Sequence, residues 1–268
     1  EVAINGNEIF FSAREKNKST DELWKTDGTN LGTQMVQDVN NGLRGKAPEK
    51  FKVVNNKIIF IAKDDINGRE IWISDGTMNG TKMIKNIAPG PQSIYTRQVQ
   101  LFKNEYYFEY NNSLWKTNGT SIGTIEIKSN IGHITAIIEL NSQLYIFTSY
   151  NSFWKSDGTE IGTVKINTTI EEFWINDAYS IIGNEFYFQA RSPSHIGREF
   201  WKSDGTEIGT VLIRSIHQTD SSLPTDIVEL NGKAIFTAND GSWHGNELWV
   251  SDGTEIGTTI IKDINQTG

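Results

Sequence analysis

The chain has 268 residues, no cysteine, and 33 acidic against 25 basic side chains, for a net charge of -8. The lack of cysteine excludes disulfides, thiolate zinc sites and cysteine nucleophiles together, and the acidic balance argues against a nucleic-acid partner, which needs a basic face. No run approaches the roughly 18 apolar residues of a membrane span, so no membrane insertion is expected, and eight Trp among 11% aromatic residues fit a β-rich chain.

Taken in chain order, one pattern of four short strands, A to D, recurs. Repeat one has a turn at Asn5-Gly6, strand B at Glu8-Ile-Phe-Phe-Ser12 and strand C at Glu22-Leu-Trp-Lys-Thr-Asp-Gly-Thr29. Repeat two has strand A at Lys52-Val-Val54, strand B at Lys57-Ile-Ile-Phe-Ile61 and strand C at Glu70-Ile-Trp-Ile-Ser-Asp-Gly-Thr77. Repeats three and four carry Leu114-Trp-Lys-Thr-Asn-Gly-Thr120 and Phe153-Trp-Lys-Ser-Asp-Gly-Thr159 after short B-to-C loops. Repeat five has Glu185-Phe-Tyr-Phe-Gln189, Glu199-Phe-Trp-Lys-Ser-Asp-Gly-Thr206 and strand D at Val211-Leu-Ile-Arg214. Repeat six has Asp226-Ile-Val-Glu229, an Asn231-Gly232 turn, Glu247-Leu-Trp-Val-Ser-Asp-Gly-Thr254 and Thr259-Ile-Ile-Lys262. Asn-Gly between apolar runs is a hairpin signal.

The repeat Trp residues stand at 24, 72, 115, 154, 201 and 249. Six repeats (about 1–46, 47–94, 95–132, 133–176, 177–222 and 223–268) account for the whole chain as one domain. Four-stranded units of this length have the size of propeller blades. The predicted fold is therefore all-β, a six-bladed β-propeller of four-stranded antiparallel blades. A β-helix or open solenoid is the runner-up, but its rungs are shorter and need capping units. The chain starts before a strand A and ends after a strand D, so closure is expected to rest on packing of the first blade against the sixth.

At these residues the chain resembles the ELWxxDGT repeat family of bacterial secreted or surface proteins. Asn231-Gly232, Phe236-Thr-Ala238, Asn239-Asp-Gly241, Gly245-Asn-Glu-Leu-Trp249, Ser251-Asp-Gly-Thr254 and Ile261-Lys-Asp-Ile264 carry the likeness most closely. The resemblance covers all six repeats and implies an extracellular, repeat-built module, secreted or at the cell surface. It brings no agreed biochemical activity. Repeats three and four depart from it: they lack the Glu before the Trp and have shortened loops at Tyr110-Asn-Asn-Ser113 and Ser149-Tyr-Asn-Ser152.

The repeat Trp residues read better as core between blades than as a sugar-stacking array, since a blade sheet is covered on both faces. The carboxylates Asp27, Asp75, Asp157, Asp204 and Asp252, with Asn118 in the remaining place, could form a calcium ring. They fit a tight turn better, because Asn118 keeps the cap without the charge.

The B-to-C loops of repeats one, two, five and six vary and are the expected ligand rim. In repeat two, Asp64, Asp65 and Glu70 offer oxygen ligands of the kind calcium prefers, without the spacing of a twelve-residue calcium loop. The alternative is that Glu70, Glu199 and Glu247 pair with Arg or accept backbone bonds that shape the loop. In repeat six, Trp243 would supply an apolar face with Asn239, Asp240, His244 and Glu247 beside it. Trp174, read as part of the D-to-A segment of repeat four, is a second Trp outside the repeat phase.

The four His (133, 195, 217 and 244) show no metal-ligand spacing, and no phosphate loop, nucleophile elbow or HExxH phrase occurs. The expected function is that of a non-enzymatic extracellular binding module for a glycan or a surface protein. A structural or adhesion spacer is the alternative. A glycan-active hydrolase would require a carboxylate pair assembled from different blades.

Overall fold

The computed structural model describes all residues except 39–46, 65, 91, 92, 97, 150, 195, 196, 243, 244, 263 and 265–268, with backbone alone at 176–178. The described residues hold six four-stranded antiparallel sheets and no helix, the blade pattern of a β-propeller. Each sheet is built from four consecutive strands, so no strand is exchanged between repeats. The chain divides into two compact units, Glu1–Ile131 and Gly132–Gly268, of three sheets each.

Local chemistry sets each hairpin. The A-to-B turns at Asn55-Asn56, Lys103-Asn104, Asn141-Ser142 and Asn231-Gly232 have positive φ at both positions, the geometry that matches strand twist. In repeats one and five only the first turn residue, Gly6 or Gly183, is left-handed. The pairing is Ile4↔Ile9 and Asn5↔Glu8, which moves the first turn from Asn5-Gly6 to Gly6-Asn7.

Strand B of repeat two runs over Lys57–Asp64 and strand C over Gly68–Ser74, where every residue is buried. Within each unit the side chains of consecutive sheets meet in shared cores. Phe10 and Leu23 pack with Phe60 and Trp72, and Ile59 and Ile71 pack with Tyr106 and Phe108. Phe147 and Phe153 join Phe186, Phe188 and Trp201; Phe200 joins Phe236 and Trp249, with the Phe200 and Phe236 rings stacked at 4.0 Å. Trp72, Trp201 and Trp249 are buried in these cores, and Trp24, Trp115 and Trp154 are half-buried. The repeat Trp residues are scaffold.

Two expected boundaries move. The B-to-C connection of repeat two is a three-residue turn, because Lys63↔Arg69 and Asp64↔Gly68 continue the ladder past the apolar run. Charged residues are no obstacle to pairing at the end of a hairpin. Strand A of repeat five spans Glu172–Ile182 and contains Trp174, so the 176/177 boundary falls inside a strand. An irregularity between Trp174 and Tyr179 breaks the alternation there and disguises the strand.

Gly76 shows what the Asp-Gly-Thr turn demands. Its φ is +88°, and a Cβ would stand 3.1 Å from Phe10 Cζ of the preceding sheet. Gly76→Val is expected to cost about 1–3 kcal/mol from backbone strain, measured as a lowered urea midpoint with an unchanged slope.

Candidate functional site

The six tight turns are closed by a single side-chain oxygen. Asp75 Oδ1 accepts from Thr77 N at 2.9 Å and Thr77 Oγ1 at 2.7 Å, while Gly80 N donates to Thr77 Oγ1 at 3.0 Å. Asn118 Oδ1 receives the same pair from Thr120, so an amide does this work as well as a carboxylate. Asp27, Asp157, Asp204 and Asp252 repeat the arrangement. Hydrogen bonds from the Thr side chain, then its backbone N–H, hold the carboxyls of Asp27, Asp75 and Asp252 below their ordinary acidity range. The turn reading is the one the geometry satisfies.

The Glu before the Trp has a different task. Glu70 Oε1 accepts from Ile87 N at 3.0 Å and Ala88 N at 2.6 Å. Glu199 Oε2 accepts from Ile216 N at 2.8 Å and from Ser222 Oγ at 2.6 Å. Glu247 Oε2 accepts from Ile264 N at 2.8 Å. In all three the partner lies seventeen residues downstream, just after strand D. A buried carboxylate thus fastens the segment leaving strand D to strand C. Burial pushes the Glu70 and Glu199 carboxyls above their ordinary value, against the pull of these hydrogen bonds. Of the two alternatives for these glutamates, backbone bonding is what is seen, and it shapes the D-to-A segment rather than the B-to-C loop.

Two of the three residues of the expected calcium site are engaged in hydrogen bonds of their own. Asp64 Oδ1 accepts from Ile66 N at 2.9 Å and from Asn67 N, and Oδ2 accepts from Asn67 Nδ2 at 2.8 Å. Asp64 closes its own turn and Glu70 holds the backbone after strand D, while Asp65 lies outside the described residues. Among the described residues no three His, Asp or Glu side chains gather at metal-holding distance.

In repeat six, Asn239 Oδ1 accepts from Gly241 N at 2.7 Å and Asp240 Oδ1 from Ser242 N at 2.8 Å, so both shape the loop. Trp243 and His244 lie outside the described residues. The loop abuts the preceding D-to-A segment: Asn239 N donates to Ser222 O at 2.8 Å, and a Cβ at Gly241 would stand 2.8 Å from His217 Nε2. His217 Nδ1 accepts from Asp220 N at 2.9 Å.

The same segment holds repeat five. Arg198 N donates to Ser221 Oγ at 3.0 Å, and Ser222 N donates to Arg198 O at 2.9 Å. The Arg198 guanidinium lies 3.6 Å from the centroid of the Trp174 ring, and both residues are half-buried. Trp174 on strand A, Arg198 and His217 on loops, and Asn239 and Asp240 at the end of a strand B are thus linked in one chain of contacts. Arg198 was not singled out in the sequence; its place immediately before the Glu of the repeat is the signal that would have found it.

No family model matches the chain, and no curated protein does. Among solved structures, a computationally designed protein, Ika8, is similar at 14% identity and a TM-score of 0.51, over 97% of this chain and 72% of that one. The extracellular domain of a protein described as a one-component system from B. thetaiotaomicron is similar at 14% identity and a TM-score of 0.51, over 97% of this chain and 32% of that one. The β-propeller domain of the Trilobed protease from Pyrococcus furiosus aligns at 11% identity and a TM-score of 0.47, over 97% of this chain and 83% of that one. This chain spans about a third of the B. thetaiotaomicron domain. At such identities the likeness is one of fold.

The chemistry open to the surface follows from which polar groups are already spent. The carboxylates of Glu70, Glu199 and Glu247 hold backbone N–H groups, and the turn carboxylates hold Thr. The Arg198 side chain has no hydrogen-bond or ion-pair acceptor among the described residues. Its five N–H donors lie in one plane fixed by the indole.

Proposed function

We propose that this chain is a non-enzymatic binding module of the ELWxxDGT repeat type, secreted or at the cell surface, that recognises glycans or a surface protein through its loops. The observation that carries this reading is the Arg198 guanidinium laid on Trp174 at 3.6 Å with its donors unengaged. Stacking removes much of the rotamer freedom that an arginine otherwise loses on binding. A planar row of N–H donors beside an aromatic edge suits hydroxyl- and carboxylate-bearing groups. The absorption of Glu70, Glu199 and Glu247 into backbone hydrogen bonds supports a binding rather than an acid–base role.

A glycan array on the whole chain tests the proposal, with Arg198→Ala and Trp174→Ala alongside. A glycan signal that weakens about tenfold or more in Arg198→Ala is expected, the low end of a charge-assisted hydrogen bond's worth. A silent array together with capture of a surface protein that needs Arg198 selects the protein ligand. Silence in both assays leaves the spacer reading, and cleavage of an arrayed glycan would refute the non-enzymatic one.

A further inference from the structure

Three repeats share a trio of side chains, which in repeats one and five lies on the face that meets the next sheet. The first residue of strand B is Glu, the third is aromatic, and a Lys of strand C lies opposite that aromatic. Lys25 pairs with Glu8 at 2.8 Å, Lys116 with Glu105 at 2.9 Å and Lys202 with Glu185 at 3.0 Å. In repeat one the trio fills the space beneath the next turn: Phe10, Glu8 and Lys25 all lie within 3.6 Å of where a Cβ on Gly76 would be.

Repeat two breaks the pattern. Lys57, Ile59 and Ile73 occupy the three positions, as the Ile59↔Ile73 pairing shows beside Phe10↔Lys25. Only the Ile73 and Ile59 methyls approach the corresponding Gly119 of the third sheet. Repeat six carries the equivalent set, Lys233, Ile235 and Val250, and in repeat two the two aliphatic side chains stand where an aromatic ring and a Lys fill the seam after repeats one and five.

The space left is a cavity of about 530 Å³ between the second and third sheets, floored by Ile73, Met83 and Ile84. Lys57 and Lys82 both line it, and both are exposed. Neither has an ion pair or hydrogen bond from its ammonium among the described residues. At the position of Lys82, opposite that strand C residue, the other repeats carry Gln34, Ile125, Val164, Val211 and Thr259. The single carboxylate on the wall among the described residues, Asp75, already accepts two hydrogen bonds from Thr77. Two ammonium groups against one carboxylate leave one positive charge over an apolar floor. The volume is within the range of small-molecule sites.

We infer that this cavity binds an organic monocarboxylate of about monosaccharide size, its carboxylate held between Lys57 and Lys82 and its carbon body against the aliphatic floor. A monoanion balances the local charge. The floor favours a carbon skeleton over an inorganic anion, since an apolar surface gains only from covering by apolar groups. The inference is independent of the proposal for Arg198, because the cavity lies within Glu1–Ile131 and Arg198 within Gly132–Gly268.

Ligand-observed NMR titration of the whole chain with glucuronate, glucose and inorganic phosphate tests it. Glucuronate should bind, with glucose and phosphate each about tenfold weaker or worse. Lys57→Glu combined with Ile73→Lys rebuilds the ion pair of repeat one, and should weaken glucuronate at least about tenfold. Lys82→Gln, on an exposed strand-D position, should weaken it severalfold without change in melting temperature, and serves if the double variant fails to fold. Absence of glucuronate binding at tens of millimolar would overturn the inference. So would equal binding of glucose, equal binding of phosphate, or full affinity in Lys82→Gln.

Discussion

Gly205→Ala is expected to destabilise the chain by about 4 kcal/mol, several times the cost of Gly119→Ala, although the two glycines occupy the same place in the same turn. Both have φ near +90°, so the left-handed strain of an alanine, roughly 1–2 kcal/mol, is common to them. What differs is the covering side chain. A Cβ at Gly205 would stand 2.1 Å from Tyr145 Cε1, a ring packed edge-on against Phe186 at 4.8 Å. That ring has nowhere to move within its core, and overpacking of this kind adds about 1–3 kcal/mol. At Gly119 the nearest atom is Ile73 Cδ1, at 2.8 Å, the far end of a flexible side chain bordering the cavity. It can turn aside. Urea unfolding of both variants reads the difference directly. In a double-mutant cycle Tyr145→Leu should recover part of the Gly205→Ala loss. Equal losses at the two glycines would mean that the seams before the third and fifth sheets are equally filled, and would also remove the basis for the cavity.

The repeat was legible because its chemistry is local. Asp-Gly-Thr followed by Gly-Thr closes on itself within seven residues, and Asn-Gly marks a two-residue hairpin wherever it falls. The partners of Glu70, Glu199 and Glu247 were not legible. A backbone N–H seventeen residues away leaves no residue type to read, and the same Glu could equally have met an Arg or a cation. Loop length in repeat two was misjudged for a related reason. Asp64 looks like a loop residue by composition, yet its carboxylate builds the turn that lets the strands pair up to it. Trp174 was noticed but placed in the wrong element, since the irregularity after it hides the strand it begins. Its partner Arg198 lies 24 residues further on, and only folding brings the two together. Lys57 could have been found from the sequence. It stands where repeats one, three and five carry Glu, and although Lys233 makes the same change in repeat six, repeat two alone adds a second Lys, Lys82, at the paired strand-D position.

Glu70→Ala is expected to cost about 2–5 kcal/mol, because it strands the N–H groups of Ile87 and Ala88 in a buried place and each orphaned donor costs about 1–3 kcal/mol. Glu70→Gln should behave quite differently. The amide oxygen can accept both N–H groups, and the amide nitrogen takes the place of Oε2, which has no hydrogen-bond partner. The charge goes, and it is the charge that burial penalises. The Glu70 carboxyl is held above its ordinary value of 4.5, chiefly by desolvation. The folded state therefore binds a proton more readily than the unfolded chain, so this group's contribution is full below pH 4.5 and is lost as pH rises through the raised value. Glu199, raised for the same leading reason, acts with the same sign. The turn carboxylates Asp27, Asp75 and Asp252 act with the opposite sign. Their hydrogen bonds hold them below 3.8, and their contribution is lost as pH falls through the lowered values. Thermal unfolding between pH 2 and pH 8 separates the two effects. Relative to the parent, Glu70→Gln should gain stability as pH rises from 4 to 8, and Asp75→Asn should flatten the loss at the acid end while keeping the turn, as Asn118 does. A Glu70→Gln variant as damaged as Glu70→Ala at every pH would mean that the carboxylate form is indispensable to this buried latch.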